Sequence, residues 1–143
     1  MASRLDDFDI RLSNAGLAGI GKLTNIFYLG IGYFGGTSIY GTPEMFSLER
    51  SIHEILFSNI EYDYKDYCNN KTIPVINGQM DAKWRNAKID VLCMWSHIHS
   101  RGDIFITRDK NFHKFSKKAP LISLGAKNIM YPEDALAWAQ RNG

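Results

Sequence analysis

The stretch GDIFITRDKNFHK, residues 102–114, runs a short apolar segment, Ile104–Ile106, straight into a Thr-Arg-Asp-Lys cluster. Asn111 and Phe112 follow, with a second aromatic, Phe115, just beyond. A turn needs polar residues but not this order. The apolar run reads as a short buried strand. Upstream, Asp81 is positioned to cap a helix whose Trp84, Ala87, Val91, Trp95 and Ile98 lie on one stripe. Gly102 ends that region. Downstream, residues 112–124 read as a basic helix or loop, and KNIM, residues 127–130, as another short strand. Pro132, Glu133 and Asp134 open a last helix through Trp138. Helix, strand, basic segment, strand, helix is an alternating order, which predicts an α/β unit with parallel strands. In such sheets chemistry collects just past the carboxyl ends of the strands. Asp109, two residues beyond Thr107, stands at that edge.

The amino-terminal half reads less regularly. Residues 1–22 are polar, then glycine-rich, with weak periodicity. NIFYLGIGYF, residues 25–34, is aromatic and β-branched and predicts a strand; GGTSIYGT, residues 35–42, predicts a loop. Thr42 is a good N-cap, Pro43 a good first helical residue, and Met45, Leu48, Ile52, Ile55 and Leu56 follow at helical spacing. A helix over about 43–58 is expected. Residues 59–81 are acidic and tyrosine-rich, then loop-like around Pro74 and Asn77-Gly78. No repeat or low-complexity tract is present.

The 143 residues fit one domain, with 45% apolar and 22% charged side chains. The net charge of +2 does not announce nucleic acid, but residues 101–127 carry seven basic residues against Asp103 and Asp109, a local +5. A solvated basic face explains such a run; a phosphate-gripping surface is the functional alternative. Cys68 and Cys93 have no metal-ligand spacing, which points to a reduced, cytoplasmic protein. Lys22, Thr24 and Asn25 interrupt the greasiest window, so neither a membrane span nor a signal peptide is expected.

Three motifs require weighing. GLAGIGK, residues 16–22, has the glycine and lysine spacing of a phosphate-binding loop, but Leu23 stands where Ser or Thr would hold magnesium. No strand precedes it and no helix follows, so a plain glycine loop is the better account. His97 and His99, two apart on a helix, point to different faces and chelate poorly; His113 lies further on. Asp90 and Asp109 form the strongest constellation. Asp90 flanks the apolar stripe of its helix and Asp109 follows the strand, so a helix packed on that sheet brings both carboxylates to one edge. Such a pair suits Mg²⁺ or Mn²⁺, which take hard oxygen ligands. Thr107 would hydrogen-bond a carboxylate or a water there. Spacing alone favours the plainer account, a helix-surface acid and a turn acid.

Asp90, DIFITRDKNF (103–112) and LISLGAKNIMYPEDAL (121–136) together resemble the carboxy-terminal half of the PIN-domain ribonucleases. Thr107, Asp109 and Phe112 match that family's Thr-x-Asp-x-x-Phe signature, Asp90 its helix acid, and Gly125 with Pro132-Glu133 its ending; the resemblance covers about residues 82–140. It implies a three-layer α/β/α fold with a short parallel sheet, and Mg²⁺- or Mn²⁺-dependent hydrolysis of RNA by an acidic cluster. Members occur as RNA-processing enzymes and as toxins paired with antitoxins. Asp90 and Asp109 would be metal ligands, Thr107 would orient the site, and Arg108, Lys110 and Lys114 would hold the RNA backbone. The family's opening strand, ending in an aspartate, is not evident. Asp9 in FDIRLS is a weak match, and the chain reads as truncated or rebuilt there, with 1–42 atypical. A glutamate on an early helix is also expected, with Glu54 the first candidate and Glu49 the next. The alternative is a catalytically inactive PIN-like module binding RNA or a protein partner. A homodimer, or a fragment completed by a partner chain, also stays open.

Overall fold

The computed structural model of the chain describes residues 4–29, 31, 38–76 and 79–143. The Asn77-Gly78 turn, residues 35–37 of the expected loop and residues 30 and 32–34 of the expected strand lie outside the described residues.

The fold is mixed α/β, mostly helical, with two short parallel strand pairs. Helix α1 spans Arg4–Asn14, and strands β1, Asn25–Ile26, and β2, Ser38–Ile39, pair in parallel. Helix α2 spans Pro43–Leu56 and begins where Thr42 caps it, its side chain accepting from the Met45 amide at 3.4 Å. Helix α3 spans Tyr64–Lys71 and α4 spans Ala82–His99; the carboxylates of Asp63 and Asp81 cap them. Strand β3 is Ile104–Ile106. Helices α5, Lys110–His113, and α6, Phe115–Leu121, run into a π-type turn over Ile122–Ala126. Strand β4, Asn128–Met130, and helix α7, Pro132–Asn142, complete the chain.

The alternating order of the second half is therefore present, and β3 and β4 are parallel, in the register Ile104 with Asn128 and Ile106 with Met130. Three expectations change. Ser38–Ile39, inside the loop expected over 35–42, form β2 because they pair with β1. Of the strand foreseen over 25–34, Asn25–Ile26 form strand and the other described residues do not, because Ile31 bonds back to the Tyr28 carbonyl in a turn and both side chains pack inward. Strand β3 is half-buried rather than buried, since only β4 pairs with it among the described residues; Ile106 is 56% exposed.

Packing of α2 on α4 forms the main core. Ile52 and Leu56 of α2 meet Val91, Leu92, Met94 and Trp95 of α4, joined by Phe112, Leu121 and Ile129. The stripe on α4 is the one its spacing forecasts, with Trp84, Ala87, Val91 and Trp95 all buried. A second cluster gathers Ile60, Tyr67, Cys68, Trp84 and Ala87, and Tyr28, Ile31 and Phe57 pack against both. Gly102 is required where the chain leaves α4, since a Cβ there would lie 2.5 Å from the His97 ring. Gly125, at φ +115°, makes the turn into β4 in a region closed to other residues. No helix among the described residues is long and apolar enough to cross a membrane.

Candidate active site

The order of residues 104–115 has a local cause at each position. The Thr107 amide donates to the Met130 carbonyl at 3.1 Å and carries the β3–β4 ladder one step further. The Thr107 hydroxyl accepts from the Asp109 amide at 3.0 Å, and Asp109 in turn caps α5 by accepting from the Asn111 amide at 2.8 Å. Phe112 plugs the turn into the core, 5.1 Å from the Phe105 ring. Asn111 and Lys117 both donate to the Leu56 carbonyl at the end of α2. The His113 ring bonds the Thr107 carbonyl at 2.8 Å and stacks on Tyr131. Strand, threonine, aspartate, asparagine and phenylalanine thus fix one exposed carboxylate at the strand's carboxyl end. One of its oxygens serves the cap; the other has no partner among the described residues.

Asp90, on α4, lies near enough to feel the Asp109 charge. It is half-buried, and its carboxylate has no hydrogen bond or ion pair among the described residues. Burial first, and the Asp109 charge second, push its carboxyl up to about 6. Two acids nineteen positions apart in the sequence are thus within electrostatic reach of each other. Lys117 shares this neighbourhood: burial and the Lys114 ammonium lower its pKa, while Asp109 opposes the change. Lys117 is absent from the residues singled out by sequence, although its three-residue spacing from Lys114 in the same basic run is a legible signal.

The remaining candidates lie elsewhere or are engaged. Glu54 points outward from α2 and pairs with Arg50 at 3.4 Å. Glu49 is fully buried, 2.5 Å from the Lys88 ammonium, and also accepts the Tyr62 hydroxyl. The tyrosines 28 and 62 and Trp84 surround that ammonium at 4.2–5.2 Å from their ring centres. Burial outweighs the Glu49 charge and lowers the Lys88 pKa. Asp9 sits on α1, not at a strand end, and pairs with Lys22. Arg108 pairs with Glu133 at 2.5 Å, while Lys110 and Lys114 are exposed. The histidines are structural: His97 bonds the Ala126 carbonyl at 2.8 Å and His99 stacks on Trp95. Residues 16–22 lead from α1 to β1 with no helix behind them, unlike a phosphate-binding loop.

Among the described residues, no three His, Cys, Asp or Glu side chains converge as a metal-holding group. The donor set is two carboxylates with unengaged oxygens. That set fits a hard dication that keeps several waters, and Mg²⁺ is commonly held by one or two carboxylates. Like charges also lose their mutual repulsion when a cation lies between them.

No protein-family model, no curated protein and no solved structure matches this chain. The fold is mixed α/β, with Asp109 just past the carboxyl end of β3 and Asp90 on α4 within reach of its charge.

Proposed function

We propose that the protein is a metal-dependent ribonuclease of PIN-like, three-layer α/β/α architecture, acting through Asp90 and Asp109. The observation that carries this reading is the turn past β3, where the Thr107 hydroxyl and the α5 cap fix the Asp109 carboxylate, with the unpaired Asp90 of α4 close enough to feel its charge. Mg²⁺ or Mn²⁺ held by the two acids would supply a Lewis acid for a phosphoryl oxygen and a more acidic water. The chain's own residues do the rest. Asp90, whose carboxyl burial and the Asp109 charge push up to about 6, would hold the ion in its ionised form. Thr107 and Asn111 hold Asp109 in one orientation through the turn and the cap. Lys110 and Lys114 receive the phosphates on either side of the scissile bond, a contribution that weakens with salt. Arg108 joins them only by leaving Glu133.

A second reading is favoured by the positions of Glu54 and Glu49, neither of which joins the pair. A catalytically inactive PIN-like module would bind RNA, or a protein partner such as an antitoxin or a second copy, without cutting. Labelled single-stranded RNA incubated with the purified protein and Mn²⁺ separates the two. Cleavage should occur and should vanish in Asp109→Asn, whose fold survives because asparagine caps a helix as well as aspartate does. Intact RNA with the wild-type chain selects the inactive module. Equal cleavage by both proteins excludes Asp109 from the chemistry.

A further inference from the structure

Phe115 is the most exposed large apolar side chain among those described, at 88%. It opens α6 directly after Lys114 and precedes Lys117, the cation whose neighbourhood includes Asp109. Its aromatic counterpart Phe112, three residues earlier, is buried in the core. The sequence therefore supplies two phenylalanines to this turn, and only one of them serves the fold. Between residues 108 and 118 there are five cations and one carboxylate. Arg108 is answered by Glu133, but Lys110, Lys114 and Lys118 have no ion pair among the described residues. An aromatic face in water, set in a row of unanswered cations, matches the two halves of a nucleotide. Lysines take the phosphates and the ring takes the base. Single-stranded nucleic acids are held by this combination, and a duplex cannot use it because its bases are already stacked. An apolar protein partner would not call for so many cations in the same stretch of chain.

We propose that Phe115 is a positioning residue that stacks on one unpaired base of the bound RNA, so that an unstacked nucleotide lies beside the Asp90–Asp109 pair. This deepens the RNA-binding part of the function proposed above and does not depend on cleavage. It also gives the site a preference for unpaired strands without any reading of base edges.

The test is equilibrium binding in metal-free buffer, using end-labelled oligoribonucleotides of one length: a single strand, its duplex, and an abasic ribose-phosphate strand. Phe115→Ala should weaken binding of the single strand about tenfold. It should leave the abasic strand and the duplex unchanged. Phe115→Trp should restore or exceed wild-type affinity, and Phe115→Leu should behave like alanine. Lys114→Ala should weaken all three oligonucleotides alike and flatten the salt dependence. Equal loss for single and abasic strands in Phe115→Ala would mean a structural role and overturn the proposal, as would full affinity in Phe115→Leu. Unchanged RNA affinity with an altered mass on sizing would assign the ring to a protein contact instead. No RNA binding by the wild-type chain would overturn both the stacking role and the RNA reading. Stacking without Mn²⁺-dependent cleavage would overturn the nuclease alone.

Discussion

Asp90 is a carboxylic acid kept partly against its nature. Its folded pKa of about 6 lies above the ordinary 3.8, so between those values the folded chain binds more proton than the unfolded one. Its contribution to stability is therefore present at low pH and is lost as pH rises through that window. Replacing it with asparagine removes the ionised form and should stabilise the metal-free protein at pH 7.5. Half-exposure and screening leave the gain at about 1 kcal/mol. At pH 4 the gain should shrink towards zero. Urea denaturation in EDTA at the two pH values measures both, and an equal effect at each would mean that burial and the Asp109 charge do not raise the Asp90 pKa. Metal affinity should show the complementary dependence, rising through pH 6 as Asp90 ionises. Both aspartates are legible in the sequence, because an acid past a strand and an acid beside an apolar helix stripe each have a fixed place. Lys88 is not legible, for the opposite reason. It lies four residues after Trp84 and three before Val91, inside the stripe, where a lysine ordinarily points to water.

Helices α2 and α4 were readable because each carries both a stop-start signal and a stripe: Thr42-Pro43 with Ile52 and Leu56, Asp81 with Trp84 to Trp95. Helix α3 is not, since YKDYCNNK has no stripe and reads only as acidic and tyrosine-rich. It is helical through tertiary bonds. The Tyr67 hydroxyl, on a side chain 3% exposed, donates to Asp81 at 2.9 Å, and the Asp81 amide donates to the Tyr64 hydroxyl at 2.9 Å. Asp81 also caps α4 through the amides of Lys83 and Trp84 at 3.0 and 3.3 Å. One carboxylate thus starts one helix and secures its predecessor. Asp81→Ala should lower stability, one part through the lost cap and the other through the stranded tyrosine hydroxyl. Asp81→Asn keeps an acceptor and should cost less. A chemical-denaturation series with Tyr67→Phe as partner decides whether the two parts couple; additive losses would mean that the tyrosine bond contributes nothing through Asp81.

At the scale of the whole molecule, the two core clusters share Tyr28, Ile31 and Phe57, and the seam between α2 and α4 passes through both neighbourhoods. The Lys88–Glu49 pair lies in that seam, each side chain without solvent contact. Neither charge is tolerated alone at such depth, so the pair is made or broken as a unit. A chemical labelling experiment sees this directly. Amine-acylating reagents should modify the surface lysines of the native protein within minutes and leave the nitrogen of Lys88 unmarked. It becomes reactive only when the two helices part, so its acylation rate, read peptide by peptide in a mass spectrometer, is a clock for opening of the interior. Marking of Lys88 as fast as of Lys110 would mean that the seam is not closed in solution.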